Sequence, residues 1–226
     1  MDFAPFFVSI KIAFFATLIT FVLGIFFAWI AGNSKKIKPF LDSILSLPLV
    51  LPPTVTGFLL LMLFGKTGTV GSFLAKIGLN FLFTWQGGVI AAVVISFPVM
   101  YRTTRGAFDQ IDPDIISAAR TLGMSEAKIF VKIMIPVSYP GIAAAVILSF
   151  ARAVGEFGAT IMVAGNIPGK TQTMALAVYT AMQGGNKILA AKWVCLILAV
   201  SFVILCAMNL WTEKISQKKF GAVKSK

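Results

Sequence analysis

Two ionisable residues, Arg152 and Glu156, stand inside the otherwise uncharged stretch Ala151 to Thr160, ARAVGEFGAT. Four residues apart on a helix they share a face, and in so apolar a setting either charge would be expensive alone, so the spacing predicts a pair. Such a pair could guide an anionic solute or close a gate, with Thr160 one turn further on. It could equally lock one helix to its neighbours. The structural role is favoured, because Glu156 offsets the attraction of Arg152 for an anion. A second unusual stretch, SLPLVLPPTVTGFLLLML, holds Pro48, Pro52 and Pro53 in one apolar segment. Proline inside a membrane helix frees carbonyls that protein or water must satisfy, so a break is tolerated where the helix is buried or lines a cavity. Thr54, Thr56 and Gly57 would then present hydroxyls and close backbone approach along a path; a kink needed only for packing is the alternative. With no His and eight acidic residues, the chain offers no cluster of metal ligands and no His-based triad. No catalytic residue, bound metal or cofactor is expected, and hydrolytic chemistry would have to come from a partner.

The elements that carry these residues follow from composition. Of 226 residues 58% are apolar and 12% charged, with a mean hydropathy of +0.91, which describes a chain dissolved in lipid. A hydrocarbon core about 30 Å thick takes roughly 20 apolar residues per helix, so a single all-α membrane domain over 1–226 with about five transmembrane helices is predicted. The uncharged runs place spans near 8–32, 43–65, 85–107, 137–164 and 191–212. Thr171 to Asn186, rich in Thr, Gln and Gly, reads as an outer-face loop or shallow helix. Cys195 and Cys206, roughly 16 Å apart along one helix, are too distant for a disulfide. The net charge of +12 does not imply nucleic acid, because Lys and Arg sit between apolar runs and gather on no single solvated face.

Those charges orient the chain instead. Of the 20 Lys and Arg, one side of a five-span topology holds Lys35, Lys36, Lys38, Arg102, Arg105, Arg120, Lys128, Lys132, Lys214, Lys218, Lys219, Lys224 and Lys226. The other holds Lys66, Lys76, Lys170, Lys187 and Lys192, with Lys11 near the outer end of the first span and Arg152 inside the fourth. Basic loops stay cytoplasmic during insertion, which predicts an outside N-terminus and a cytoplasmic C-terminus. No repeat announces the inverted halves of a secondary transporter.

On the side assigned to the cytoplasm lies DPDIISAARTLGMSEAKIFVKIMIP, residues 112–136. Asp112 can cap a helix that starts at Pro113, and Gly123 supplies the stop. Ser125 and Glu126 can start a second short helix that gathers Ile129, Phe130, Ile133 and Met134 on one face before Pro136 ends it. Two short helices joined at a glycine make either a protrusion that docks in a partner's groove or an amphipathic loop lying on the membrane.

The spacing of Ser117, Ala118, Ala119, Gly123, Ile133, Ile135 and Pro136 resembles the EAA loop of permease subunits in ABC importers, departing from it at Ser117, where the pattern has Glu, and at Ile135, where it has Leu. LPLVLPPTVTG at Leu47 to Gly57, GKTGTVG at Gly65 to Gly71, SFARAVGEFGAT at Ser149 to Thr160 and GNIPGKTQTMALAVY at Gly165 to Tyr179 resemble the molybdate permeases among them. Sulfate and thiosulfate permeases share the pattern around Arg152 and the NIP turn. The resemblance implies a type I importer permease with a cytoplasmic two-helix coupling loop, in the bacterial inner membrane. It implies a homodimer, two cytoplasmic ATP-binding subunits that carry the ATP and Mg, and an extracytoplasmic oxyanion-binding protein. The implied cargo is molybdate, with tungstate not separated from it by any residue here; sulfate or thiosulfate is the nearest alternative, and a secondary transporter using Arg152 and Glu156 as a coupling pair is a more remote one.

Overall fold

The computed structural model describes the backbone of residues 2–33 and 38–224 and the side chains of 2–32 and 39–211; Lys35, Lys36 and Lys226 of the charge count lie outside it. Among the described residues every regular element is helical. In chain order these are α1 (Ala4–Asn33), α2 (Lys38–Val50), α3 (Pro53–Phe64), α4 (Thr69–Lys76), α5 (Trp85–Asp109), α6 (Pro113–Thr121) and α7 (Glu126–Ile129). A π-helical turn (Phe130–Met134) leads into α8 (Ile135–Val154), followed by α9 (Gly158–Val163), α10 (Met174–Gln183) and α11 (Lys187–Lys224).

The centre of the bundle is the pair α1 and α5, which run parallel. Ile12 of α1 lies against Gly88 near the start of α5, where an added Cβ would come within 2.7 Å of Ile12 Cδ1, and Gly24 lies against Met100 farther along. Small residues let the backbones approach: Ala13, Ala16, Ala28, Ala91, Ala92 and Ala145 are all fully buried. In an apolar surrounding a buried hydroxyl is stabilised by a protein partner. Ser149 of α8 donates to the carbonyl of Ser96 in α5 at 3.2 Å and meets Thr20 of α1 at 3.4 Å, and this seam ties three helices together.

At the cytoplasmic end expected from the charge count, Arg105 is buried, donates to the Ala28 carbonyl of α1 at 3.1 Å and pairs with Asp109 at 3.0 Å. Beside it Tyr101 donates to Asp42 and joins α5 to α2. At the opposite end the Met174 N–H donates to Ser9 Oγ at 2.8 Å and seats α10 on α1. The Thr171–Asn186 stretch therefore contains a ten-residue helix with Met174 and Leu176 fully buried. Cys195 and Cys206 are free thiols.

Three expectations need correction. The segment 43–65 is not one straight span: α2 and α3 meet at 107°. Pro52 and Pro53 cannot supply the N–H groups that would carry the helix across, so it ends at Val50 and restarts with Pro53 in the first turn, where no donor is needed. The segment 137–164 is likewise interrupted, with α8 ending at Val154 and α9 beginning at Gly158. Pro136 does not end the second loop helix. A continuous helical rod runs 29 residues from Glu126 to Val154, and the π turn just before Pro136 lets the Ile135 N–H reach back to the Phe130 carbonyl, relieving the crowding that proline imposes on the turn before it.

Candidate functional site: two apposed helix breaks and a rigid loop

The two broken helices break side by side. Both α3 and α9 run in the same direction, and a Cβ added at Gly158 would meet Pro53 Cβ at 3.0 Å and the Thr54 nitrogen at 3.1 Å. One turn on, Gly57 presses its backbone against α9, where an added Cβ would fall 2.7 Å from Ala159 Cα and 2.9 Å from Met162 Cβ. The sequence-selected residues of both segments thus converge on one place.

Glu156 sits in the gap between α8 and α9, not on the helix face the four-residue spacing suggests, because α8 has already ended at Val154. It is 2% exposed, accepts from Arg152 at 2.9 Å and from the Ala159 N–H at 2.8 Å, and so satisfies a donor at the start of α9 while neutralising the guanidinium. The Arg152 side chain is 34% exposed, so its far side remains open. Thr160 is buried within α9, while Pro52 and Thr54 are exposed at the α2–α3 elbow. No side chain caps the start of α3. Thr56 Oγ1 is buried without a hydrogen-bond partner among the described residues, a costly state in an apolar medium. The arrangement offers one exposed hydroxyl, one partly exposed cation and an uncapped helix start at a single level of the bundle.

Close packing here gives a prediction. Gly57→Val is expected to overpack the α3–α9 contact and destabilise the solubilised protein by about 1–3 kcal/mol, read as a lower melting temperature. Gly106→Ala, which would point into open space, is expected to leave melting unchanged or raise it.

The loop of residues 112–136 is a separate and stiff construction. Asp112 accepts the Asp114 N–H at 2.9 Å and caps α6. Gly123, at φ +75°, closes it: the Gly123 N–H reaches the Arg120 carbonyl at 2.9 Å and the Met124 N–H the Ala119 carbonyl at 3.1 Å, the paired bonds of a left-handed helix stop. Across this turn Arg120 grips Glu126 with two hydrogen bonds, at 2.7 and 3.1 Å. Ser117 Oγ bonds to the Pro113 carbonyl of its own helix at 2.9 Å, so the hydroxyl that replaces the pattern's Glu is turned inward. Ala119 is buried, Ala118 exposed, and Leu122 at the tip is 82% exposed. Ile129 is fully buried and Phe130 stacks on Trp29 of α1 at 4.9 Å. Ile133 is half-buried and Pro136 exposed on the rod that continues into α8.

The loop after α9 also has its own scaffold. The Ile167 carbonyl accepts from the N–H groups of Lys170, Thr171 and Gln172, and Asn166 bonds to Thr180 at 2.8 Å and Gln172 at 3.0 Å. Sequence reasoning passed over Arg105, Asp109 and the Tyr101–Asp42 contact. The Arg105/Asp109 spacing of four on one helix was the available signal.

Comparison with known proteins places this geometry. The family described as "Binding-protein-dependent transport system inner membrane component" matches residues 9–218. The molybdenum transport system permease protein ModB of Escherichia coli is 41% identical over 94% of this chain and 94% of its own length, and that of Haemophilus influenzae is 38% identical over the same shares. The sulfate transport system permease protein CysT of Escherichia coli is 33% identical over 95% of this chain and 78% of its own. Among solved structures, the inward-facing MetNI methionine ABC transporter superposes with a TM-score of 0.72 at 17% identity, covering 93% of this chain and 94% of the other. A bacterial ABC transporter involved in the import of alginate gives 0.74 at 19%, covering 94% and 79%.

Proposed function

We propose a molybdate-import function from one premise: the chain belongs to the family of binding-protein-dependent transport system inner membrane components. It is a multi-pass inner-membrane permease with the fold of ABC importer permeases, and it is not itself an enzyme. ATP hydrolysis belongs to a partner subunit, and a solute-binding protein is the other partner that this family implies.

Identity in sequence supports the cargo. Relatives named for molybdenum transport match at 38% and 41% over nearly their whole length, against 33% for the sulfate permease, which extends beyond this chain. The cargo proposed is therefore the molybdate dianion.

In the mechanism proposed, two copies of the chain form the pathway with their N-termini outside and C-termini in the cytoplasm, and two ATP-binding subunits grip their coupling loops. Leu122, held out by the Gly123 stop and the Arg120–Glu126 bridge, enters the ATPase groove. Ser117, Ala118 and Ala119 form the slim helix beside it, and Ile133 and Pro136 belong to the stem. Because that stem is one rod with α8, about 43 Å long at 1.5 Å per residue, motion of the loop reaches the break at Gly155 directly. There the Arg152–Glu156 pair ties the end of α8 to the start of α9, which packs on α3 through Gly158 and Ala159, while Pro52, Pro53, Thr54, Thr56 and Thr160 shape the elbow that opens and closes. ATP drives transport by binding one of these two packings better than the other. Buried Glu156 keeps Arg152 from becoming a tight anion trap, as a pathway requires.

The test is accumulation of labelled molybdate in vesicles holding this chain with its ATPase and binding protein. Uptake that requires ATP and both partners is expected. Uptake that proceeds on an ion gradient without them would overturn the reading.

A further inference from the structure

Two adjoining cavities lie between α1, α8 and α11, on lining residues other than those of the helix breaks. One, of about 740 Å³, is lined by residues that include Ile25, Phe130, Ile135 and Trp211; the other, of about 460 Å³, by Phe14 and Phe150 among others. They share Phe21, Val146, Ile147 and Ala207 and so form one continuous groove. Ala143 of α8 and Ala207 of α11 leave room where larger side chains would close the seam between the three helices. From Ile135 to Phe150 it follows α8 for about 22 Å, somewhat more than the half-thickness of a hydrocarbon core about 30 Å deep.

The two ends differ in chemistry. The outer end is apolar. At the other end Tyr139 and Trp211 meet edge to face at 5.5 Å, rings of the kind that sit at the membrane interface. Just past this pair Lys132 is exposed on the π turn between the lining residues Phe130 and Ile135, with Lys128 exposed one turn before. The backbone of α11 continues helical past Trp211 to Lys224 and carries Lys214, Lys218 and Lys219. Of the acids near this end, Glu126 is taken up by Arg120, and Glu213 is the single acid of the α11 extension.

We infer that this groove is a binding site for one anionic phospholipid of the cytoplasmic leaflet, with an acyl chain along Ile147 and Ala207 and the phosphate at Lys132. Basic mouths of intramembrane grooves on the cytoplasmic side suit acidic headgroups. The inference rests on the membrane orientation proposed above. A lipid seated there would touch Phe130, the first residue of the π turn, and Ile135 just after it, and so brace the rod that joins the coupling loop to the α8–α9 break.

The experiment is native mass spectrometry of the detergent-purified permease–ATPase complex, titrated with phosphatidylglycerol or with phosphatidylcholine of the same chains. Retention of phosphatidylglycerol in preference to phosphatidylcholine is expected. Lys132→Glu should weaken phosphatidylglycerol retention at least fivefold on the scale of one interfacial lysine and leave phosphatidylcholine unchanged. Ala143→Phe should reduce both lipids, with melting of the complex measured alongside to show that it stays folded. Equal retention of the two lipids, or retention unchanged in Lys132→Glu, would overturn the site. So would cross-linking of Ala207→Cys to a second permease copy, which would show the groove filled by protein. Lipid binding is read without transport, so a complex that retains the lipid but imports a different solute would refute the cargo and leave this site standing.

Discussion

A Gly123→Val variant is expected to lose ATP-coupled uptake by at least tenfold while its transmembrane bundle folds normally. Gly123 sits at φ +75° with nothing within 4 Å of the position a Cβ would take, so an added Cβ meets no neighbour and the effect expected comes from the backbone. A β-branched residue is a strong outlier in that conformation, with strain of order 1–3 kcal/mol. The loop escapes the strain by giving up the paired bonds from Gly123 and Met124 that end α6, which also displaces Leu122 and the Arg120–Glu126 bridge. A shift of about 1.4 kcal/mol in docking is tenfold in affinity, and it should appear as loss of the ATPase from the purified complex. Gly123→Asn, which tolerates the left-handed region better, should retain most of the coupling. Full ATP-coupled uptake by the valine variant would remove the loop from the docking interface.

The second large effect belongs to Glu156. Its carboxylate, 2% exposed, satisfies both Arg152 and the Ala159 N–H, so Glu156→Ala leaves a cation and a helix start without partners. Arg152, a third exposed, keeps some solvation, but the Ala159 N–H at the start of α9 loses its partner, a loss of about 1–3 kcal/mol, and this variant is expected to be poorly recovered and to melt early. Arg152→Met combined with Glu156→Gln should be much milder, since the amide oxygen can still accept the Ala159 N–H and no charge is stranded. Melting of the solubilised variants checks the order. A double variant as unstable as Glu156→Ala would contradict the structural role, and one that folds well but no longer transports would assign Arg152 to the pathway.

How much of this was legible beforehand depends on the kind of signal. Apolar runs located α1, α5 and α11 because length and hydropathy alone define a crossing. The caps at Asp112, Gly123 and Ser125 were legible because each rests on a residue's own backbone chemistry. The breaks were legible only by half. Pro52 and Pro53 announced an interruption, but not a 107° elbow, which depends on α9 being there to receive Gly57. Gly155 gave no comparable warning, so Glu156 was read onto a helix that had already ended. Pro136 misled in the opposite direction: a helix boundary was the reasonable reading, and the π turn that carries the rod through it has no sequence signature. The groove between α1, α8 and α11 is a property of three helices at once, and nothing local to Ala143 or Ala207 foretells it.

The most direct test of the central claim is competition in the reconstituted uptake assay, with labelled molybdate challenged by excess tungstate or sulfate in the presence of ATP, the ATPase and the binding protein. Strong inhibition by tungstate and little by sulfate is predicted for a molybdate importer. Inhibition by sulfate equal to that by tungstate would contradict the assignment and move the chain to the sulfate branch of its family.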